Sequence, residues 1–319
     1  MKCRILVQNG SSIIEPVVEE GIEWSTERKG SPGKLTFKAI ADGLNVQEGN
    51  AVRFDVDGEK CFFGYVFAKE RDKDGLIKFT CYDQLRYFKN KDTYVYHNKT
   101  ASELLGMICD DFHLSKGSIE DTGYSIPQKK ESNKTLFDIV NDALTDTMMS
   151  TKKVYVLYDD YGSICLKNIA SMKLPVVIDE DTGQNFSYKS CIYSETYNQI
   201  KLVKDNESTG GRDVYMVRDD EHINNWGTLQ YFDSLKDGDN GAEKAENLLK
   251  MYNRKTRNLT LSDAFGYIGV RAGTAPIIKM SLGDIELCNY MVCDKVTHKF
   301  ENGLHTMNLT LIGGEFISG

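Results

Sequence analysis

Long apolar segments are missing from this chain of 319 residues. No run approaches the roughly 18 consecutive apolar residues that a membrane-spanning helix requires. The N-terminal segment MKCRILVQNGSS contains only Ile5, Leu6 and Val7 as an apolar stretch, which is too short for the core of a signal peptide. The sequence therefore predicts a protein without a membrane span that stays in the cytosol where it is made.

Positive charge and paired cysteines are also scarce. Asp and Glu outnumber Lys and Arg by 47 to 39, and the formal net charge is −8. Because such a chain offers no basic stripe for neutralising phosphates, sequence-specific binding of nucleic acid is not expected. The eight cysteines are scattered without a CxxC pair, which argues against a structural zinc site and against a disulfide framework.

Familiar catalytic signatures are absent as well. The sequence has no nucleophile elbow, Walker loop, GxGxxG or HExxH motif. Two acidic runs remain as candidates, Asp159-Asp160 and the segment 219–222, DDEH. Both lie in turn-like sequence, where Asp bonds to nearby backbone, so we interpret them as turn residues. We expect no catalytic, cofactor-binding or metal-ligating residues and predict that the protein is not an enzyme.

The segment ICDDFHL, residues 108–114, places a thiol, two carboxylates and an imidazole close together. On a helix, Cys109 and His113 would share a face, and two metal ligands can use that spacing. A structural zinc needs four ligands, and the nearby sequence supplies no others. We therefore interpret Cys109 as a buried thiol and His113 as a helix-end residue, with Asp110 and Asp111 in solvent.

The residue pattern divides the chain into three regions. Short β-rich runs separated by turn residues fill the first part, and a tight turn at Asp74-Gly75 predicts a hairpin in which Cys61 does not face Cys81. Helical patterns then begin at a capping box of Thr100 and Glu103 and again near residues 132–135. A hairpin turning at 159–162 follows, and after it the strands return.

The predicted fold is α+β and mainly β. We place a first β domain at residues 1–92, with 185–205 as a candidate for completing it, and a small α/β domain at 93–172. A second β domain at 173–319 contains one helix near 241–254, capped by Asn240 and Glu243. Residues 205–212 are predicted to form a mobile loop.

A hairpin near the end of the chain is predicted from Asn302-Gly303, a strong type I′ turn signal. This turn fixes which side chains share a face. On the apolar face Val296 is opposite Leu309, His298 is opposite Met307, and Phe300 is opposite His305. On the other, polar face Lys295, Thr297 and Lys299 are opposite Thr310, Asn308 and Thr306. His298 and His305 lie diagonally and could bind a metal, but we interpret them as fillers of a partly buried sheet face.

This hairpin and the middle of the chain resemble the baseplate hub proteins of contractile phage tails, the XkdQ/YqbQ family of prophage tail proteins. The family pattern has Val, His and Phe in one strand and Gly, His, Met and Leu in the next. The matching residues are Val292, Val296, His298, Phe300, Gly303, His305, Met307, Leu309 and Leu311. Lys295 departs from that pattern, since the family has Val there. In the middle, YDQLRYF and the residues around Thr100 are similar, with Asp83, Arg86, Tyr87, Thr100, Ala101 and Ser102 as the matching positions.

The resemblance implies two β-barrel domains of tail-tube type flanking the small α/β domain. It also implies a homotrimer, in which three copies with two such domains each present a six-fold surface. The implied partners are the hexameric tail tube protein, the central spike protein and other baseplate proteins, with DNA able to pass passively through the lumen.

The function predicted from the sequence is thus that of a structural baseplate hub in a contractile phage tail or a phage-tail-like bacteriocin (tailocin). The protein would be in the bacterial cytoplasm during assembly and in the virion or tailocin particle afterwards, with a polar, acidic lumen in the ring. The alternative is a tail-associated peptidoglycan hydrolase, which predicts a deep pocket where carboxylates with raised pKa values converge. A secreted carbohydrate-binding module fits less well, because no signal peptide is visible.

Overall fold

The computed structural model describes residues 1–71, 73–183, 185–193, 195–206, 210–235, 240–282 and 286–313. Two compact units make up the chain: Met1–Ser187 together with Leu259–Gly319, and Tyr188–Asn258. Residues 207–209 of the predicted mobile loop lie outside the described residues. The chain is mainly β, as its alternating segments predict.

Seven strands form the first part of the large unit, and in each of them alternate side chains enter one apolar core, as a period of two residues requires. Phe37, Phe54 and Phe79 are buried at the centre of that core. Val66 is opposite Cys81, which confirms that Cys61 does not face Cys81. The strands are β1 (Cys3–Asn9), β2 (Ser12–Ile14), β3 (Ile22–Glu27), β4 (Lys34–Ile40), β5 (Ala51–Val56), β6 (Glu59–Arg71) and β7 (Leu76–Tyr82).

The middle of the large unit combines two helices with short strands. A 3-10 helix at Gln84–Lys89 leads into it, and another at Ile169–Met172 ends it. The apolar stripes of both α-helices pack into one core with Phe88 and Leu166. The elements are β8 (Lys91–Tyr96), α1 (Ala101–Asp111), β9 (Lys116–Ile119), β10 (Lys129–Thr135), α2 (Leu136–Thr151), β11 (Tyr155–Asp159) and β12 (Ile164–Asn168).

The start of α1 has the predicted capping box. The backbone N–H of Glu103 donates to Thr100 Oγ1 at 3.1 Å, and the backbone N–H of Thr100 donates to the Glu103 carboxylate at 2.9 Å. Replacing Thr100 with Ala leaves one helix-end N–H without this acceptor and is expected to lower the free energy of unfolding by about 1 kcal/mol. Urea denaturation would measure the loss, and Thr100→Ser, which keeps the hydroxyl, should stay within a few tenths of a kcal/mol of the parent. Equal losses in both variants would contradict this role of the hydroxyl.

The remaining elements begin with two strands, continue through the small unit and return to the large one. They are β13 (Lys173–Asp179), β14 (Asn185–Cys191), β15 (Gln199–Asn206), β16 (Gly211–Arg218), α3 (Asp220–Trp226), β17 (Gln230–Ser234), α4 (Gly241–Tyr252), β18 (Thr256–Phe265), β19 (Ala275–Ser281), β20 (Glu286–Tyr290), β21 (Val292–Glu301) and β22 (Leu304–Ile312). The helix near 241–254 is therefore present as α4, with Asn240 at its N-cap. The prediction of a single helix in this region is wrong, because α3 precedes it. The Asp219 side chain caps α3 by accepting from two backbone amides.

An eleven-stranded sheet organises the large unit, in the order β14-β18-β22-β21-β3-β4-β7-β6-β5-β1-β2. The β21–β22 hairpin has the predicted pairs, with Val296 opposite Leu309 and Phe300 opposite His305. β21 also pairs with β3, so the hairpin shares a sheet with the N-terminal strands.

The two compact units thus divide the chain differently from the three domains expected from the sequence. Among the described residues the sheets have free edges, so the strands are not closed into barrels as the resemblance implied.

Candidate functional site

A polar surface of the large unit covers the outer face of five neighbouring strands, β22, β21, β3, β4 and β7. We call it the polar face. The pairing of the strands aligns its side chains in two rows, Thr306, Lys299, Glu23, Thr36 and Thr80 in one and Asn308, Thr297, Ser25, Lys34 and Tyr82 in the other. All of these side chains are exposed or half-buried. The polar side predicted for the last hairpin therefore continues across three more strands.

The charges on the polar face are mixed. Lys295 contacts Glu27 at 2.7 Å, and this hydrogen bond lowers the pKa of Glu27. Lys299 and Glu23 are likewise directly opposite each other on neighbouring strands. Such a surface binds water well and has no strong field of one sign.

On the opposite side of the last hairpin, His298 stacks in the core and His305 lies half-buried beside it. His298 lies fully buried between Trp24 and His305, with ring centroids 4.8 and 5.1 Å away. Its Nε2 is 2.8 Å from the carbonyl oxygen of Val270, and its Nδ1 is 2.9 Å from Nε2 of His305. The carbonyl can only accept, so His298 donates from Nε2 and accepts at Nδ1. Both ring nitrogens are thus occupied, which supports the interpretation of a sheet-face filler.

Burial keeps both histidines neutral, and for His298 the neighbouring His305 adds repulsion. Desolvation, followed by the positive charge that His305 would carry, lowers the pKa of His298 to about 3. Desolvation lowers the pKa of His305 to about 4. Among the described residues, no group of three or more His, Cys, Asp or Glu side chains is arranged to hold a metal ion.

Two buried carboxylates come together where the first strands meet the β11–β12 turn. Asp83 and Asp159 are only 4% and 5% exposed. Desolvation and the negative charge of Asp159 raise the pKa of Asp83 well above its usual range. Desolvation raises the pKa of Asp159 to about 6. The hydrolase alternative predicts a deep pocket and carboxylates with raised pKa values, and this pair has the raised pKa values.

The hydrogen bonds of this pair indicate a structural role. The two Asp83 oxygens accept from the backbone N–H groups of Gly33 at 2.8 Å and Leu85 at 3.0 Å. The two Asp159 oxygens accept from those of Gly162 at 2.7 Å and Gln84 at 3.4 Å. Every carboxylate oxygen therefore already has a backbone partner, so the pair fastens loops together. This agrees with the interpretation of Asp159 as a turn residue.

Arg271 supplies the positive charge for this cluster. Its guanidinium donates from Nη2 to the Asp159 carbonyl oxygen at 2.6 Å and lies 4.4 Å from the centre of the Tyr158 ring. The charge of Arg271 lowers the pKa of Asp83 and of Asp159, against the larger effect of burial. Its Nε is buried without a hydrogen-bond acceptor among the described residues. This cluster cannot be recognised from the sequence, because its members are far apart in the chain and follow no spacing rule.

The other acidic candidates are also in structural positions. Helix α1 ends at Asp111, so His113, which has a positive φ of 53°, is not on the helix with Cys109. Cys109 is fully buried, as predicted. Asp110 pairs with Lys116 at 2.6 Å, and Asp111 accepts a hydrogen bond from Tyr94 Oη at 2.8 Å. The two aspartates therefore have partners, which the sequence did not indicate.

Comparison with solved structures defines the class of the fold. The 43 kDa tail protein of prophage MuSo2 from Shewanella oneidensis superposes with a TM-score of 0.74 at 13% identity, covering 99% of this chain and 100% of that one. The E. coli c3393 protein, a type VI secretion component described as similar in structure to T4 tail proteins gp27 and gp5, has a TM-score of 0.60 at 11% identity over 100% of this chain and 79% of its own. The chain has the fold of these tail-type proteins.

The sequence gives the family. The YqbQ-like family model matches residues 22–312, and the chain belongs to that family. The phage-like element PBSX protein XkdQ of Bacillus subtilis (strain 168) is 28% identical, with 94% of this chain and 92% of XkdQ aligned. The resemblance seen in the hairpin and the middle of the chain is thereby confirmed. No helix among the described residues is long and apolar enough to cross a membrane.

Proposed function

We propose that this protein is a structural baseplate hub of a contractile phage tail or a tailocin. In this role three copies form a ring that joins the central spike to the hexameric tail tube. The observation that carries the proposal is the match of nearly the whole chain, in family and in fold, to tail-type proteins. The similarity of c3393 to gp27 and gp5 supports a place beside the spike.

The polar face suits the wall of a water-filled bore. Apart from Tyr82, its side chains are Thr, Ser, Asn, Lys and Glu over five adjacent strands, and such residues keep a sheet hydrated on one side. DNA could slide past this wall, because mixed charge offers no strong attraction to phosphates. The acidic lumen expected from the sequence is not supported by this face, which carries both signs of charge.

The proposed role is not enzymatic. The carboxylates with raised pKa values, Asp83 and Asp159, are buried and bonded to backbone amides, as a fastening of loops requires. Apart from those raised pKa values, nothing among the described residues favours a hydrolase. The proposed location is the baseplate of the particle, after assembly in the bacterial cytoplasm.

Light scattering and electron microscopy test the proposal. The purified full chain should have the mass of a trimer, and mixing it with the tube and spike proteins of the same particle should give a complex containing all three. Cryo-electron micrographs of the particle should place this chain at the junction of tube and spike. A location on the sheath or the fibres, or a purified chain that stays monomeric at all concentrations, would refute the hub role.

A further inference from the structure

The small unit has a three-stranded sheet with two unlike faces. The strand order is β16-β15-β17, and the side chains of Ile200 and Leu202 on β15 are fully buried. Helix α4 packs on this side, against β15 and β16. Its first residue, Gly241, lies so close to the Tyr215 ring that a Cβ at this position would collide with it. This face is the core of the unit.

The opposite face, which we call the open face, has an apolar centre around Lys201, with the Asp205–Arg212 ion pair at one end and Arg218 at the other. Val203, next to Lys201 on this face, is buried. Lys201 on β15 has Met216 and Phe232 as its two cross-strand neighbours, and Val214 follows one row further on. Val214, Met216 and Phe232 are 53%, 53% and 54% exposed. Three large apolar side chains that remain half exposed on one short sheet are typical of an interaction surface.

A second apolar surface lies on the large unit, at the tip of the last hairpin. Phe265, Tyr267 and Leu304 are 66%, 49% and 64% exposed. The backbone N–H of Gly266 donates to the carbonyl oxygen of His305 at 2.9 Å, which brings segment 265–267 beside the start of β22. We call the three exposed side chains the tip patch.

Acidic side chains border the tip patch. Glu301 is directly opposite Leu304 in the hairpin. Glu20 accepts a hydrogen bond from the backbone N–H of Asn302 at 3.1 Å, in the turn of the same hairpin. The open face thus has a central positive charge, and the tip patch has a negative border.

These charges decide which contact is favourable. Two open faces packed together would bring Lys201 against Lys201, and two tip patches would bring Glu301 against Glu301, each at a cost in repulsion. An open face against a tip patch instead joins apolar side chains and opposite charges. A closed ring of identical chains needs such a contact between two different surfaces, so that each copy binds one neighbour on either side.

We infer that the open face of one copy packs against the tip patch of the next copy. This inference rests on the proposed ring and adds which surfaces make its contacts. Phe232 and Leu304 lie at the centre of the two surfaces, and Lys201 pairs with Glu301 across the contact.

Single substitutions at the two centres test the inference in the full-length chain. Phe232→Asp and Leu304→Asp each put a charge into one side of the contact and should raise the dissociation constant of the ring at least about 30-fold. Light scattering at micromolar concentrations should then give monomers. Val95→Asp and Val177→Asp alter exposed valines elsewhere and should leave the trimer intact.

Mixing the two variants distinguishes a head-to-tail contact from other arrangements. Each variant retains one intact surface, so the mixture should form a dimer with one copy of each and should not close into a ring. That dimer also shows that both variants are folded. Lys201→Glu should weaken the ring, and adding Glu301→Lys to the same chain should restore it.

Three results would overturn the inference. If the parent chain is a trimer and both Asp variants remain trimers, the contact is wrong while the ring stands. If the parent is a monomer, the ring and the contact both fail. If the mixed variants do not pair although each is folded by circular dichroism, the two surfaces do not bind each other.

Discussion

Replacing Arg271 with Met is expected to lower the free energy of unfolding by about 2–3 kcal/mol, the upper range for losing a hydrogen bond from a charged donor to a buried acceptor. Arg271 has a side chain that is 17% exposed. Its charge partly offsets the burial of Asp83 and Asp159, and its Nη2 also satisfies the Asp159 carbonyl oxygen. Met fills a similar length but provides neither the charge nor the donor.

The pH dependence of this loss gives a second readout. Asp159 has a folded pKa near 6, above its ordinary value near 3.9. Protonation of such a group stabilises the folded state, and this stabilisation is complete at a pH below the unfolded pKa. It is lost as the pH rises through 6. The Arg271→Met variant should therefore lose more stability at pH 7.5 than at pH 4.5, where protonation relieves the uncompensated carboxylates.

Arg28 offers the matched control for Arg271. Its side chain is 13% exposed, but its partner Asp294, 2.9 Å away, is 41% exposed and can be solvated when the arginine is removed. Urea unfolding of Arg28→Met should show a smaller loss. In the double variant Arg271→Met/Asp159→Asn, part of the stability should return, since one buried charge is gone. Equal losses for the two arginine variants would contradict the special role of the Asp83 and Asp159 cluster.

Acidification is expected to destabilise the protein through His298 and His305. Their folded pKa values are about 3 and about 4, whereas a histidine in the unfolded chain titrates near 6.5. The stability that depends on the neutral pair is present above pH 6.5 and is lost as the pH falls toward 4, because the unfolded state binds more protons. Each unit of pKa difference corresponds to about 1.4 kcal/mol, so the combined effect is several kcal/mol.

The histidine effect can be separated from the opposite one of Asp83 and Asp159 by comparing variants. His305→Gln removes one titrating group and keeps a donor for His298 Nδ1. Between pH 6.5 and 4, its free energy of unfolding should fall less steeply than that of the parent. His97→Gln, at an exposed position, should follow the parent curve. Identical slopes for all three proteins would mean that the buried pair does not control acid stability.

Local features of the fold could be predicted from the sequence because they follow short-range rules. The capping box of Thr100 and Glu103 and the hairpin at Asn302-Gly303 each depend on residues a few positions apart, and both are present. Helix α3 was missed because its acidic start and Asn residues look like a turn, and its seven residues are too few for a periodic stripe. Short helices of this kind depend on capping, here by Asp219.

Long-range features could not be predicted in this way. Nothing local shows that β21 pairs with β3, since its polar and apolar alternation would suit any neighbouring strand. Asp83 and Arg271 are separated by most of the chain, and only the fold brings them into one buried cluster. The open face likewise could not be predicted, because its strands have an ordinary residue pattern. Which side of the sheet is exposed depends on which side α4 covers.

The pairing of β3 with β21 has a consequence for synthesis. The partner of residues 22–27 is made about 270 residues later in the chain, which at ribosomal rates is on the order of 15 to 50 seconds. During that interval one edge of β3 has unpaired N–H and C=O groups that could recruit a strand from another nascent chain. Because Leu304 of the tip patch belongs to the same late hairpin, ring closure would have to wait for translation of that hairpin, which would keep half-made subunits out of the particle.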